Sequence, residues 1–220
     1  ETKMDQGREE VDVRFNEFPN IGFITAKLPH NVLEPILSEV SKMQVDFEDN
    51  IKYQSTLVGH MEHAYKLVDS IPTLEPFVLH LTNMYDDKWD YKESAIMHPL
   101  GKLDTELSSC WVNFQQKHEF NPPHVHRGLM SFVIWIQIPY DIDKEEAHFP
   151  YITEGNKTSK FQFHYSDTLG IHRQIAINVN KDMEGVICLF PAGMMHSVNP
   201  FYTSDGFRIS IAGNVGFKTP

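Results

Sequence analysis

The chain has 220 residues, 41% hydrophobic and 22% charged, which is enough apolar material for one substantial core and excludes a mainly disordered protein. Nineteen Lys and Arg against thirty Asp and Glu leave a formal net charge of -11, which opposes association with phosphate backbones or anionic membrane surfaces, so neither nucleic acid nor membrane is an expected partner. The length suits a single domain over 1–220, with 1–107 supplying an N-terminal strand and buttressing helices and 108–220 a β core.

Residues 1–10 hold no apolar run of the kind a secretory leader needs. Residues 15–28 read as one or two strands interrupted at Pro19-Asn20. From Pro29 the spacing of Val32, Leu33, Ile36, Leu37, Val40 and Met43 predicts a helix, with Asn31 as a plausible N-cap. A second helical stretch is predicted over 60–68, and a third opens at Pro72 and ends near Trp89. After Ser108 the character changes to β-branched and aromatic runs separated by turn residues. These predict strands over 110–116, 131–139, 160–165, 175–179, 186–190 and 207–215, an antiparallel sandwich or barrel. The run 132–139 is too short to cross a bilayer and reads as a buried strand. Residues 141–159 form a long polar connection and a candidate lid, and Asp205-Gly206 predicts a hairpin that would lay the strand of Arg208 beside the segment following His196. Cys110 and Cys188 both fall in strand-like apolar runs and are expected to be reduced and buried, as in a cytoplasmic protein.

With twelve histidines, the chain directs attention to metal and acid–base chemistry. In Asn121-Pro-Pro-His124-Val-His126 an i, i+2 pair on extended backbone points two imidazoles to one face, where they can grip one metal ion; the bland alternative is a solvated strand entrance. The stretch from Gly185 to His196 ends a buried strand in a Pro-Ala-Gly turn that fixes a third imidazole, which would complete an open three-ligand face. Twelve residues on, Arg208-Ile-Ser210 puts a guanidinium and a hydroxyl on one strand face. An inward arginine calls for an anionic partner, either the carboxylate of a small dicarboxylic acid or a structural Asp or Glu. Asn113 and Gln115 alternate on the preceding strand and could line the same pocket or be ordinary strand-face amides. His60 and His63, at i, i+3 on the predicted helix, lack the spacing of zinc proteases, and His164 and His172 flank a turn where solvated histidines are common.

Together, His-x-His, a distant His after a strand and Arg-x-Ser on the next strand resemble the iron(II)- and 2-oxoglutarate-dependent dioxygenases of the double-stranded β-helix (jelly-roll) fold, over 111–215. Within them, the wording around His124, Phe132, His196 and Arg208 is most similar to a prolyl-hydroxylase-like group common in marine phages and bacteria. The resemblance implies a mainly β, cupin-like jelly roll with flanking helices. It also implies His124 and His196 as ligands of Fe(II), with Arg208 and Ser210 holding the distal carboxylate of the cosubstrate 2-oxoglutarate. O2 would be consumed, an unknown small-molecule or peptide substrate hydroxylated, and succinate and CO2 released.

The sequence departs from the common His-x-Asp/Glu…His triad in having His126 where the carboxylate is expected. His126 is expected to bind in its place, and the more positive site admits zinc or nickel as competitors. A cupin-type metalloenzyme not using 2-oxoglutarate also fits Gly185-x5-Pro191-x-Gly193-x2-His196-x3-Asn199, although the Glu of the first cupin motif is missing from 127–131. A non-catalytic jelly-roll binding protein is the alternative from another class, and it would have no use for Arg208 and Ser210. A homodimer is the expected assembly, in the cytoplasm, or in a host's cytoplasm if the chain is phage-encoded.

Overall fold

The computed structural model describes residue 14 and residues 20–53, 59–95 and 104–218, so the first part of the predicted 15–28 strand region lies outside the described residues, as does the 1–10 segment. The strands, in chain order, are β1 Ile24–Lys27, β2 His63–Lys66, β3 Thr105–Gln115, β4 Asn121–His124, β5 Met130–Gln137, β6 Phe161–Ser166, β7 His172–Ile177, β8 Val186–Pro191, β9 Met195–Val198 and β10 Arg208–Phe217. Four helices accompany them: α1 His30–Val45, α2 Ile71–Trp89, α3 Tyr91–Ala95 and α4 Ile142–Ala147. The strands form a six-stranded sheet in the order β1-β8-β5-β10-β3-β2 and a four-stranded sheet in the order β4-β9-β6-β7, with antiparallel pairings throughout. This is the jelly-roll architecture with helices on its outer face.

The continuous apolar run of β5 follows from its central place, buried on both faces. Phe132, Ile134 and Ile136 face the core shared with α1 and α2. Val133 and Trp135 face the core between the two sheets, where they meet Phe161, Phe163, Cys188 and Phe190. Helix α1 buries Val32, Ile36, Val40 and Met43, and α2 buries Leu74, Val78, Leu81 and Tyr85, at the spacing of one helical stripe. The stripe of α1 includes one acid, Glu39, whose carboxylate accepts from the N–H groups of Val68, Asp69 and Ser70 and from the Ser70 hydroxyl at 2.6–3.0 Å. It thereby satisfies the backbone donors of the turn that leads into α2 and ties the two helices together.

Three expectations are corrected. Residues 60–68 are not helical: β2 occupies His63–Lys66, pairing with Phe114, Asn113, Val112 and Trp111 of β3, because the long strand's free edge satisfies this backbone better than an isolated short helix would. Helix α1 is entered through Pro29 rather than capped by Asn31. The strand of Arg208 does not lie beside the segment after His196: β10 crosses to the other sheet and runs between β3 and β5, so Asp205-Gly206 belongs to a connection between layers.

The 141–159 connection is a docked element and not a loose lid. Helix α4 is capped by Asp141, whose side chain accepts from the N–H groups of Asp143 and Lys144. The buried Glu145 carboxylate accepts from the N–H groups of Tyr202 and Thr203 and from the Thr203 hydroxyl, and Thr158 and Ser159 are buried at its end. Cys110 and Cys188 are free and buried, and burial pushes both thiols well above their ordinary range. Among the described residues, no helix is long and apolar enough to cross a membrane.

Candidate active site

The three predicted imidazoles meet at one end of the barrel. Strand β4 pairs antiparallel with β9 so that His124 stands directly opposite His196, and cross-strand neighbours in such pairs have adjacent side chains. His126 follows two residues on, and its N–H donates to the Ala192 carbonyl at 2.9 Å. The Pro191-Ala-Gly-Met194 turn, closed by the Met194 N–H on the Pro191 carbonyl at 2.9 Å, therefore holds the backbone of one histidine while delivering another.

One ligand nitrogen from each ring lies within 4.8 Å of the others, and the ring centroids are 4.3–5.1 Å apart. Three nitrogens about 2.1 Å from a shared ion lie about 3.0–3.4 Å apart in octahedral or tetrahedral geometry, so the rings would draw together by up to about 1.5 Å to hold one. Two rings are oriented by backbone carbonyls: His124 Nδ1 lies 2.7 Å from the Pro122 oxygen and His196 Nδ1 2.9 Å from the Met194 oxygen. A proton on each Nδ1 leaves Nε2 as the free lone pair, which is how an imidazole is set up to ligate.

Burial, above all, pushes His196 down to about 3, assisted by the neighbouring His124, and the Phe161 and Phe190 rings enclose it at 5.5 and 4.8 Å. Burial likewise pushes His126 down to about 4, and it lowers His124 despite the opposing bond to Pro122. All three rings are thus neutral at physiological pH without a metal, the form a metal requires.

The cluster opens onto a cavity of about 510 Å³ whose wall includes Asn113, Gln115, Ser210 and Trp111, with Tyr53, Met61 and Arg127 also in contact. Among the described residues that line it there is no Asp or Glu, despite the chain's net charge of -11. Asn113 and Ser210 are register partners on β3 and β10, as are Gln115 and Arg208, so the predicted polar residues form two successive rungs of one inner face.

Arg208 is 2% exposed and stands behind Gln115 rather than on the cavity wall. It has no carboxylate partner among the described residues, which corrects the expectation of a structural Asp or Glu. Its Nε and Nη2 donate to Gln115 Oε1 at 3.0 and 2.7 Å, Nη1 to the Tyr140 hydroxyl at 3.0 Å and the Ser159 carbonyl at 2.7 Å, and Nη2 to the Asn199 carbonyl at 2.7 Å. Five N–H donors meet neutral oxygens, and the Tyr140 and Phe201 rings lie 5.8 and 5.5 Å from Cζ, so hydrogen bonding is satisfied while no carboxylate among the described residues matches the charge.

Trp111 and Asn121 were not singled out in the sequence. Both line the cavity, and Trp111 Nε1, Asn113 Oδ1 and Asn121 Oδ1 are buried without a partner in the protein, which marks this wall as one completed by something else. Trp111 stacks on Tyr53 at 4.6 Å and lies 6.0 Å from His126. The only advance signal was their place within or beside the motifs, since a Trp in an apolar strand reads as core. His60 and His63 do not reach the cavity wall; Met61 between them does, and His63 stacks on Phe47 at 4.8 Å. His164 bonds Ser197 at 2.9 Å and stacks on His172 at 5.9 Å.

A jelly roll that gathers three imidazoles at the mouth of a cavity with no Asp or Glu among its described lining residues is an arrangement that could hold a metal ion. Residues 109–214 match the model of the family described as "Putative 2OG-Fe(II) oxygenase". Among solved structures, a prolyl-4-hydroxylase from Pseudomonas putida matches with a TM-score of 0.52 at 12% identity, covering 91% of this chain and 94% of that one. A 2OG-Fe(II) oxygenase family oxidoreductase from Burkholderia pseudomallei matches with a TM-score of 0.49 at 14% identity, covering 87% and 84%. At 12% identity the likeness to the prolyl-4-hydroxylase is one of fold. No curated protein matches the sequence.

Proposed function

We propose that the protein hydroxylates a small-molecule or peptide substrate with Fe(II), 2-oxoglutarate and O2, releasing succinate and CO2. His124, His126 and His196 would hold the iron, and Ser210, Asn113 and Arg208 would hold the cosubstrate. The observation that carries this reading is the convergence of three neutral imidazoles on a cavity with no Asp or Glu among its described lining residues, backed by a buried guanidinium that has no carboxylate partner among them. When bound, the metal and cosubstrate supply the activation of O2, which no protein side chain can perform.

The chain's own part is to bind, orient and exclude water. The backbone carbonyls of Pro122 and Met194 keep the Nε2 lone pairs of His124 and His196 turned inward. Phe161 and Phe190 pack against the His196 ring and help to keep it from water. The Ser210 hydroxyl and the Asn113 amide offer donors to an anion without placing a competing negative charge beside it. Three histidines in place of two and a carboxylate leave the site one unit more positive, which favours an anionic cosubstrate over a neutral one.

The test is anaerobic titration of the metal-free protein with Fe(II) and then 2-oxoglutarate, with Zn(II) as the silent control. A visible charge-transfer band, lost in Arg208→Ala, is the expected result. Iron binding without the band points to a cupin-type enzyme independent of 2-oxoglutarate, a reading favoured by the satisfied donors of Arg208. No iron binding removes the oxygenase reading.

A further inference from the structure

The acceptors around Arg208 are not equivalent. Those on Nη1 and on one side of Nη2 belong to fixed backbone or to the core: the Ser159 N–H is tied to the Pro200 carbonyl at 2.8 Å, the Asn199 N–H to the Lys160 carbonyl at 3.0 Å, and Tyr140 is 5% exposed. The remaining edge, Nε with Nη2, is the fork on which a carboxylate binds in two parallel bonds. That fork is occupied by a single side-chain atom, Gln115 Oε1, the one acceptor around Arg208 that a rotamer change could withdraw. Gln115 also lines the cavity where Arg208 does not, so the approach from the cavity to the guanidinium passes through its amide. A neutral amide oxygen satisfies the two donors and leaves the charge unmatched, whereas a carboxylate does both.

We propose that Gln115 is a placeholder: in the ligand-free protein its amide oxygen occupies the two donor positions on Arg208 that the distal carboxylate of the cosubstrate takes, and binding exchanges one for the other. This rests on the reading of the site given above and adds a specificity-determining residue to it. A 2-oxo acid without a second carboxylate has nothing to displace Gln115 with and leaves it in place. The exchange also reaches the cavity mouth. Gln115 Nε2 donates to the Glu119 carbonyl, and the Glu119 carboxylate accepts from the N–H groups of Gln116 and Glu62, next to the cavity-lining Met61.

The experiment measures 2-oxoglutarate affinity for the Fe(II)-loaded protein by its charge-transfer band and for the Zn(II)-loaded protein by calorimetry, under anaerobic conditions. Gln115→Ala removes the competitor and is expected to tighten binding about tenfold, since two charge-assisted bonds no longer have to be broken. Gln115→Glu installs a permanent carboxylate on the fork and is expected to weaken binding at least about a hundredfold, with metal affinity and thermal midpoint retained. The affinity for 2-oxobutyrate should stay unchanged in both variants. Weaker or unchanged binding in Gln115→Ala, or unchanged binding in Gln115→Glu, overturns the placeholder. If the wild type binds no 2-oxoglutarate by either readout, the underlying reading falls first and the proposal with it.

Discussion

Acidification offers a direct test of how the histidine cluster is built. Burial holds His126 at about 4 and His196 at about 3 in the folded, metal-free protein, whereas an unfolded chain returns both to about 6.5. The folded values are depressed, so below about pH 6.5 the unfolded state binds more protons, and stability falls as the pH falls toward the folded values. At pH 5 each ring is almost fully protonated when unfolded and almost neutral when folded, a difference of about 1.5 log units or about 2 kcal/mol per histidine. Between pH 7.5 and 5 the pair therefore withdraws about 4 kcal/mol, equivalent to a fall of about 8–16 °C in Tm for a chain of this size. His124, lowered by burial, adds in the same direction.

Urea denaturation of the metal-free protein at the two pH values, compared with a His126→Gln/His196→Gln double variant, isolates this contribution, because carboxylate titration cancels in the difference. The wild type should lose about 4 kcal/mol more than the variant. Equal losses would refute the argument that these imidazoles are neutral because they are buried.

Three further outcomes follow from other parts of the molecule. His124→Ala, which removes the ring facing His196 across the β4–β9 pair, should raise the Kd for Zn(II) at least about a hundredfold by competition titration while leaving the circular dichroism spectrum unchanged. Glu145→Ala leaves the Tyr202 and Thr203 N–H groups without their acceptor inside a buried contact and should cost about 3 kcal/mol in urea denaturation. Gly213→Ala would put a Cβ 2.5 Å from the Phe132 ring and 2.7 Å from the Ser109 carbonyl, where backbone cannot yield; a loss of about 3 kcal/mol is expected by thermal denaturation.

The sequence by itself determined the elements whose signal is carried by a few adjacent residues. The His124/His126 pair was legible because strand side chains alternate, so i, i+2 residues share a face whatever the strand's partner. The helices α1 and α2 were legible from apolar residues repeating every three or four positions, and β5 from an apolar run with polar ends. Arg208 and Ser210 were placed on one face by the same alternation, with Ile209 and Ile211 packed against the helices on the other.

Only the tertiary structure decided what those faces meet. The pairing of β10 with β3 and β5, and of residues 64–66 with β3, depends on which backbone edges are free once the barrel closes, a condition no local window contains. The partners of Arg208 lie as far as 93 residues away in sequence and include two backbone carbonyls, which every residue possesses and which leave no compositional trace. The cavity wall likewise draws in Tyr53, Met61 and Trp111 from segments far apart in the sequence. Periodicity is a short-range property of the chain and survives in the sequence, whereas hydrogen-bond partners and cavities arise only when distant segments are brought together.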